Sequence, residues 1–147
     1  MNDSLNLLLV EDSEDDAFFF QRTVTKSGVG CSVHHVVDGS AAVKYLSEAQ
    51  AGSRELPDLM FLDLKMPRMN GFEVLQWVRT RCFSNPVPVI ILSGSFEIKD
   101  QDRAKELGAT EYLVKPIRAE VFRSSIERWL VVAKMHGLEL KENGLSC

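Results

Sequence analysis

Three strongly apolar runs punctuate the chain: Leu5–Val10, Leu59–Leu62 and Val87–Leu92, each bounded by polar or turn residues. Apolar runs of that length suit parallel strands covered on both faces, so they predict three central strands. Ser32–Val37 is rich in β-branched residues but carries His34 and His35, and Glu111–Val114 is short. Both read as edge strands. Between the strands the apolar spacing turns helical, over 14–27, 39–50, 71–81, 97–108 and 118–135. A regular β–α alternation predicts an α/β fold, a doubly wound sheet of five parallel strands whose right-handed crossovers cover both faces.

The punctuation between elements fits this reading. Asp12 or Ser13 can cap the first helix, Asp38-Gly39-Ser40 can open the second, and Asn70-Gly71 turns the chain into the third. Gly108 stands where the fourth helix would end. Residues 49–56 form a longer connection than usual, and 136–147, with two glycines and mixed charge, read as a loosely ordered tail behind one domain over 1–135.

Composition narrows the function classes. A chain of 147 residues that is 45% hydrophobic suits one core, and 17 basic against 21 acidic residues, net charge -4, argues against direct nucleic-acid binding. No apolar stretch approaches the roughly 20 residues of a membrane span. The polar start Met1-Asn2-Asp3-Ser4 lacks signal-peptide order, so a cytoplasmic protein is expected. Cys31, Cys82 and Cys147 lack metal-type spacing and read as reduced thiols.

The chemistry stands at the strand ends. Glu11 and Asp12 follow the first apolar run and Asp63 follows the second. If those runs are neighbouring parallel strands, the three carboxylates converge at the carboxyl edge of one sheet, where open α/β sheets hold their ligands. Two negative charges about 4 Å apart repel by roughly 4 kcal/mol at an effective dielectric near 20, so the cluster calls for a divalent cation.

Taken in order, the strand ends spell Val10-Glu11-Asp12, then Asp63-Leu64-Lys65-Met66-Pro67 with Asn70-Gly71, then Leu92-Ser93-Gly94, then Tyr112-Leu113-Val114-Lys115-Pro116. From about residue 4 to 133 the chain resembles a response-regulator receiver domain, with the flavodoxin-like strand order 2-1-3-4-5. The resemblance implies that Asp63 is the phosphoacceptor and modified residue. It also implies that Glu11, Asp12, Asp63 and the backbone carbonyl of Lys65 hold Mg²⁺, with Mn²⁺ as a substitute. Lys115 would reach a phosphoryl oxygen, and Pro116 after it fits the cis peptide of receivers. Ser93 and Tyr112 would be the switch hydroxyl and switch aromatic. Glu11 departs from the aspartate often found first in the acidic pair, and the family accepts both.

The same resemblance implies a stand-alone response regulator of a two-component system, with a sensor histidine kinase as donor and a downstream protein target that the sequence does not identify. It is an expected phosphoacceptor signalling protein, not an enzyme acting on other substrates. A chemotaxis-type partner-binding regulator, a phosphorelay intermediate and a regulator serving a sensory kinase all fit. The long connection after the second helix and the Trp129-containing last helix look most like small regulators paired with bacteriophytochrome-type light sensors. Phe18-Phe19-Phe20 sweeps about 200° of a helix, wider than one buried face, so at least one ring should be partly exposed; the resemblance, in which the first helix docks on the donor's helical bundle, implies a part in kinase recognition, with packing against the last helix as the alternative.

On the last helix Phe122, Ile126, Trp129, Leu130 and Ala133 trace a core stripe, while Val121, Val131, Val132 and Met135 lie at its margins. Such a surplus marks a partner surface, and the receiver resemblance implies that the face of the fourth helix, fifth strand and fifth helix dimerises or engages a target, so a homodimer through it is expected. His34 and His35 read as structural or solvated. Two rivals are weaker. A flavodoxin-like cofactor binder needs a phosphate-cradling loop where Glu11–Asp16 presents acid. A haloacid-dehalogenase-like phosphatase needs a second acid two residues after its nucleophile, where Lys65 stands.

Overall fold

The computed structural model describes residues 4–81, 83 and 86–142, with side chains through Leu130. The elements run β1 Leu5–Val10, α1 Glu14–Ser27, β2 Cys31–Val36, α2 Gly39–Gln50, β3 Leu59–Asp63, α3 Gly71–Arg79, β4 Val89–Ser93, α4 Ile98–Glu106, β5 Glu111–Val114 and α5 Ala119–Glu142. All strand pairs are parallel and the sheet order is β2-β1-β3-β4-β5, as the sequence led us to expect. β2 and β5 are the edges. Among the described residues, no helix is long and apolar enough to cross a membrane.

Helix starts follow their caps. Ser13 Oγ accepts the Asp16 N–H at 3.2 Å, so Ser13 caps α1 and the Asp12 carboxylate is not used there. Asp38 accepts from Ala41 N–H at 2.7 Å to open α2, and Asn70 and Glu73 form a reciprocal capping box at α3. β4 begins two residues later than the apolar run does, because Pro88 has no N–H to give a ladder; its carbonyl still accepts from Met60.

The last helix departs from expectation. α5 runs past the expected boundary at 135, its backbone helical to Glu142. A single glycine costs a helix only about 1 kcal/mol, and strong helix formers flank Gly137. Residues 143–147 lie outside the described residues, as do Cys82 and Cys147 and the side chains of Val131, Val132, Ala133 and Met135.

Strand alternation divides the core in two. Leu8, Val10, Met60, Leu62, Val89 and Ile91 pack under α2, α3 and α4, with Leu46, Val74, Leu75 and Ala104 among their partners. Leu7, Leu9, Leu59, Phe61, Ile90 and Leu92 pack under α1 and α5, against Phe20, Val24, Phe122 and Ile126. Phe20, Phe61 and Phe122 form a ring trio with centroids 5.0, 5.6 and 5.7 Å apart. Of the three consecutive phenylalanines only Phe20 is buried; Phe18 and Phe19 are 61% and 59% exposed. With strands buried on both faces, the polar residues that end them are left to crowd the sheet's carboxyl edge.

Candidate functional site

β1 and β3 are adjacent, and their register sets Val10 beside Leu62, so the residues that follow them meet. Glu11, Asp12 and Asp63 each offer a carboxylate oxygen within 4.8 Å of the others. Glu11 and Asp63 are buried while Asp12 is exposed. Lys115, which follows β5, crosses the edge to the same place: its Nζ donates to Glu11 Oε1 at 2.6 Å and Asp16 Oδ2 at 2.8 Å, and lies 3.5 Å from Asp63 Oδ1. The Lys115–Pro116 peptide is cis. Lys65 and the 94–97 loop complete the lining of a cavity of about 560 Å³.

Glu11 is held at every polar atom of its carboxylate and carbonyl. Oε1 takes the lysine, Oε2 accepts Ser13 N–H at 3.2 Å, and His35 Nε2 donates to its carbonyl oxygen at 2.7 Å. His35 therefore has a structural part: it ties the edge strand to the acidic pair. His34 stacks against Tyr45, ring centroids 4.6 Å apart.

Burial raises the Asp63 pKa, and the neighbouring Glu11 charge raises it further, to about 7, against the downward pull of Lys115 and the Lys65 backbone N–H. Burial alone would lower the Lys115 ammonium. The hydrogen bonds it donates to Asp16 and Glu11, with the charges of Asp63 and Glu11, outweigh burial and hold it above its ordinary value. The cluster is thus short of positive charge despite the lysine.

Ser93 ends β4 beside Val114, fully buried and behind the cavity wall formed by Gly94, Ser95 and Phe96. Its Oγ accepts Ser95 N–H at 3.1 Å. Tyr112 is half-buried against the α2–α4 side of the core, and its hydroxyl donates to the Ser95 carbonyl at 3.1 Å. So Glu11, Asp12, Asp63, Lys65 and Lys115 come together, while Ser93 and Tyr112 meet one another through Ser95, one layer back.

Two site residues escaped the sequence reading. Asp16 grips Lys115 from the first turn of α1, and the acidic run Glu11–Asp16 carries no signal that singles it out. Gly71 was read as a turn residue, but a Cβ there would collide with the Asp63 carbonyl oxygen and lie 2.7 Å from Leu64 Cα. The missing side chain lets α3 start against the backbone that carries Asp63, and Gly71 N–H donates to Leu64 O at 2.9 Å.

Comparison with known proteins gives the family of the chain. Residues 7–127 match the model of the response regulator receiver domain. The probable methanogenesis regulatory protein FilR2 of Methanothrix harundinacea is 32% identical over 125 residues, 85% of this chain and 81% of that protein. The chain spans half or less of the length of several other curated relatives. Among solved structures, the phosphorylated cyanobacterial phytochrome response regulator RcpA superposes with a TM-score of 0.74 at 29% identity, covering 88% of this chain and 96% of that one. The Mn²⁺-bound form of response regulator Rcp1 superposes with a TM-score of 0.69 at 29% identity, covering 86% and 94%. Receiver domains are the phosphoacceptor modules of two-component signalling; they bind a divalent metal and work with sensor histidine kinases. By its matched residues, its strand order and its relatives, this chain belongs to the response regulator receiver domain family.

Proposed function

We propose that the chain is a response regulator that takes a phosphoryl group from the phosphohistidine of a sensor kinase onto Asp63. The convergence of three carboxylates within 4.8 Å of one another, with the Lys115 ammonium against them, carries this reading. An Asp63 oxygen forms a bond to phosphorus as the phosphorus–nitrogen bond breaks, and the electron pair leaves on the imidazole nitrogen, which takes up a proton.

The donor set fits a hard divalent cation: carboxylate oxygens only, close enough to share an ion, with the Asp63 pKa pushed up for want of positive charge. Glu11, Asp12, Asp63 and the Lys65 carbonyl would hold Mg²⁺, or Mn²⁺ in its place. Such an ion neutralises the carboxylates and the incoming phosphoryl oxygens. Lys115 supplies the second positive charge on a phosphoryl oxygen. Ser93 keeps a hydroxyl proton to donate once the 94–97 loop draws in, and that movement takes the Ser95 carbonyl from Tyr112, so loop and ring form one two-state element.

Phe18 and Phe19 fit the kinase-recognition role. Phe19 also lines an apolar cavity of about 600 Å³ with Phe20, Thr23, Pro116 and Ile117, beside Lys115. A phytochrome-type kinase is the donor we favour, on the likeness to RcpA. Replacing Phe18 or Phe19 by alanine should slow transfer from the cognate kinase without unfolding the protein; unchanged rates remove the recognition role. The homodimer through α4, β5 and α5 rests on exposed Ile98 and Val121, and sedimentation with and without beryllofluoride tests it, a monomer in both states counting against it.

The experiment for the central reading is incubation of the full chain with acetyl phosphate and Mg²⁺, followed by intact mass. A stoichiometric adduct that Asp63→Asn lacks is the expected result. No adduct, an adduct that survives Asp63→Asn, or sustained multiple turnover of the donor would overturn it.

A further inference from the structure

Lys115 is shared unevenly. Its ammonium sits at 2.6 Å from Glu11 and 2.8 Å from Asp16, yet at 3.5 Å from Asp63. Asp16 stands outside the trio of carboxylates that could share an ion. Its main chain is pinned by the α1 cap, where Ser13 Oγ accepts the Asp16 N–H at 3.2 Å, so the carboxylate is presented from a fixed point. It also lines both the acidic cavity and the apolar one beside it. A cation in the carboxylate cluster would relieve Glu11 of its need for the lysine, but it leaves the Asp16 charge where it is. Asp16 is then the group that competes with a phosphoryl oxygen for the ammonium.

We propose that Asp16 is a positioning residue that holds the Lys115 ammonium back from Asp63 and so restrains phosphoryl transfer. This rests on the reading of Asp63 as phosphoacceptor. Lys115 must loosen its grip on Asp16 before it can stabilise charge developing on the transferred group. The restraint acts on the chemical step and not on capture of the donor, which separates it from the general repulsion that the other acids of this turn exert on an anionic donor.

Asp15 is the control, since it is exposed on the same turn and is not a partner of Lys115. The rate of adduct formation is measured on the full chain over a range of acetyl phosphate concentrations at saturating Mg²⁺, for wild type, Asp16→Asn, Asp16→Glu and Asp15→Asn. We expect Asp16→Asn to raise the rate at saturating donor by roughly two- to fivefold, the size of one partly exposed ion pair, with the half-saturating concentration unchanged. Asp16→Glu restores the wild-type rate, and Asp15→Asn lowers only the half-saturating concentration. An unchanged or slower maximal rate in Asp16→Asn, or an equal rise in Asp15→Asn, overturns the proposal. Circular dichroism checks folding, and Asp16→Ser makes the same comparison should Asp16→Asn not fold. A wild-type chain that forms no adduct removes the phosphoacceptor reading and this inference together; a normal adduct with an unmoved Asp16→Asn removes this inference alone.

Discussion

Asp63 and Glu111 are carboxylates drawn into the protein at opposite strand ends of the same sheet, Asp63 at the carboxyl end of the central strand β3 and Glu111 at the amino end of the edge strand β5. Their company is opposite too. Glu111 is surrounded by donors: Ser125 Oγ on one oxygen and Arg128 Nη1 on the other, each at 2.8 Å, with Trp129 Nε1 joining Arg128. Asp63 is surrounded by acids and has its lysine at arm's length. A carboxylate that serves the fold has its lone pairs filled from within the chain. Asp63 is left wanting, as a carboxylate proposed to serve chemistry would be, and the rest of the structure must tolerate it.

The largest expected effect comes from disturbing the ground under Asp63. Gly71→Ala drives a methyl group into the Asp63 carbonyl and should lower stability by about 3 kcal/mol, the upper range for overpacking, as measured by urea unfolding. Next comes Glu111→Ala. It strips three donors of their acceptor, one of them on the buried Ser125, and should cost about 2 kcal/mol by the same measurement. Asp63→Asn should move the other way, gaining about 1 kcal/mol at neutral pH without a divalent cation, because it removes one of three crowded charges. A loss of stability in Asp63→Asn would mean that the two carboxylates are alike after all.

The same pair of proteins sharpens the comparison through pH. Asp63 has a folded pKa of about 7 against an ordinary 3.8, so the folded state holds its proton more tightly than the unfolded one. Its contribution to stability is full below 3.8 and is lost as pH rises through about 7. The stability difference between wild type and Asp63→Asn should therefore open across that interval. Millimolar Mg²⁺ should shrink it, and a difference that stays flat with pH in the absence of Mg²⁺ would contradict the crowding.

Much of this was legible in the sequence, for physical reasons that differ from residue to residue. β1, β3 and β4 are apolar because both faces are covered, so Glu11, Asp12 and Asp63 stood out at their ends. α1 and α2 have the predicted bounds because Ser13 and Asp38 cap them. Asp16 was lost among five acids between Glu11 and Asp16, since nothing in a run of like charges says which one a distant lysine will choose. Gly71 looked like a turn because its reason lies in the backbone of another element. The grip of Glu111 on Trp129 spans 18 residues and joins two elements whose separation no local pattern records.

The sheet that sends alternate side chains to two cores also insulates them. Leu8 and Leu9 are chain neighbours but belong to different interiors, one closed by three helices and one by two. Changes made under α1 and α5 should therefore sum with changes made under α2, α3 and α4, with little interaction energy between them. The protein can be rebuilt by halves, so that the side beneath Phe20 and Phe122 can be repacked while the side behind Tyr112 keeps its packing.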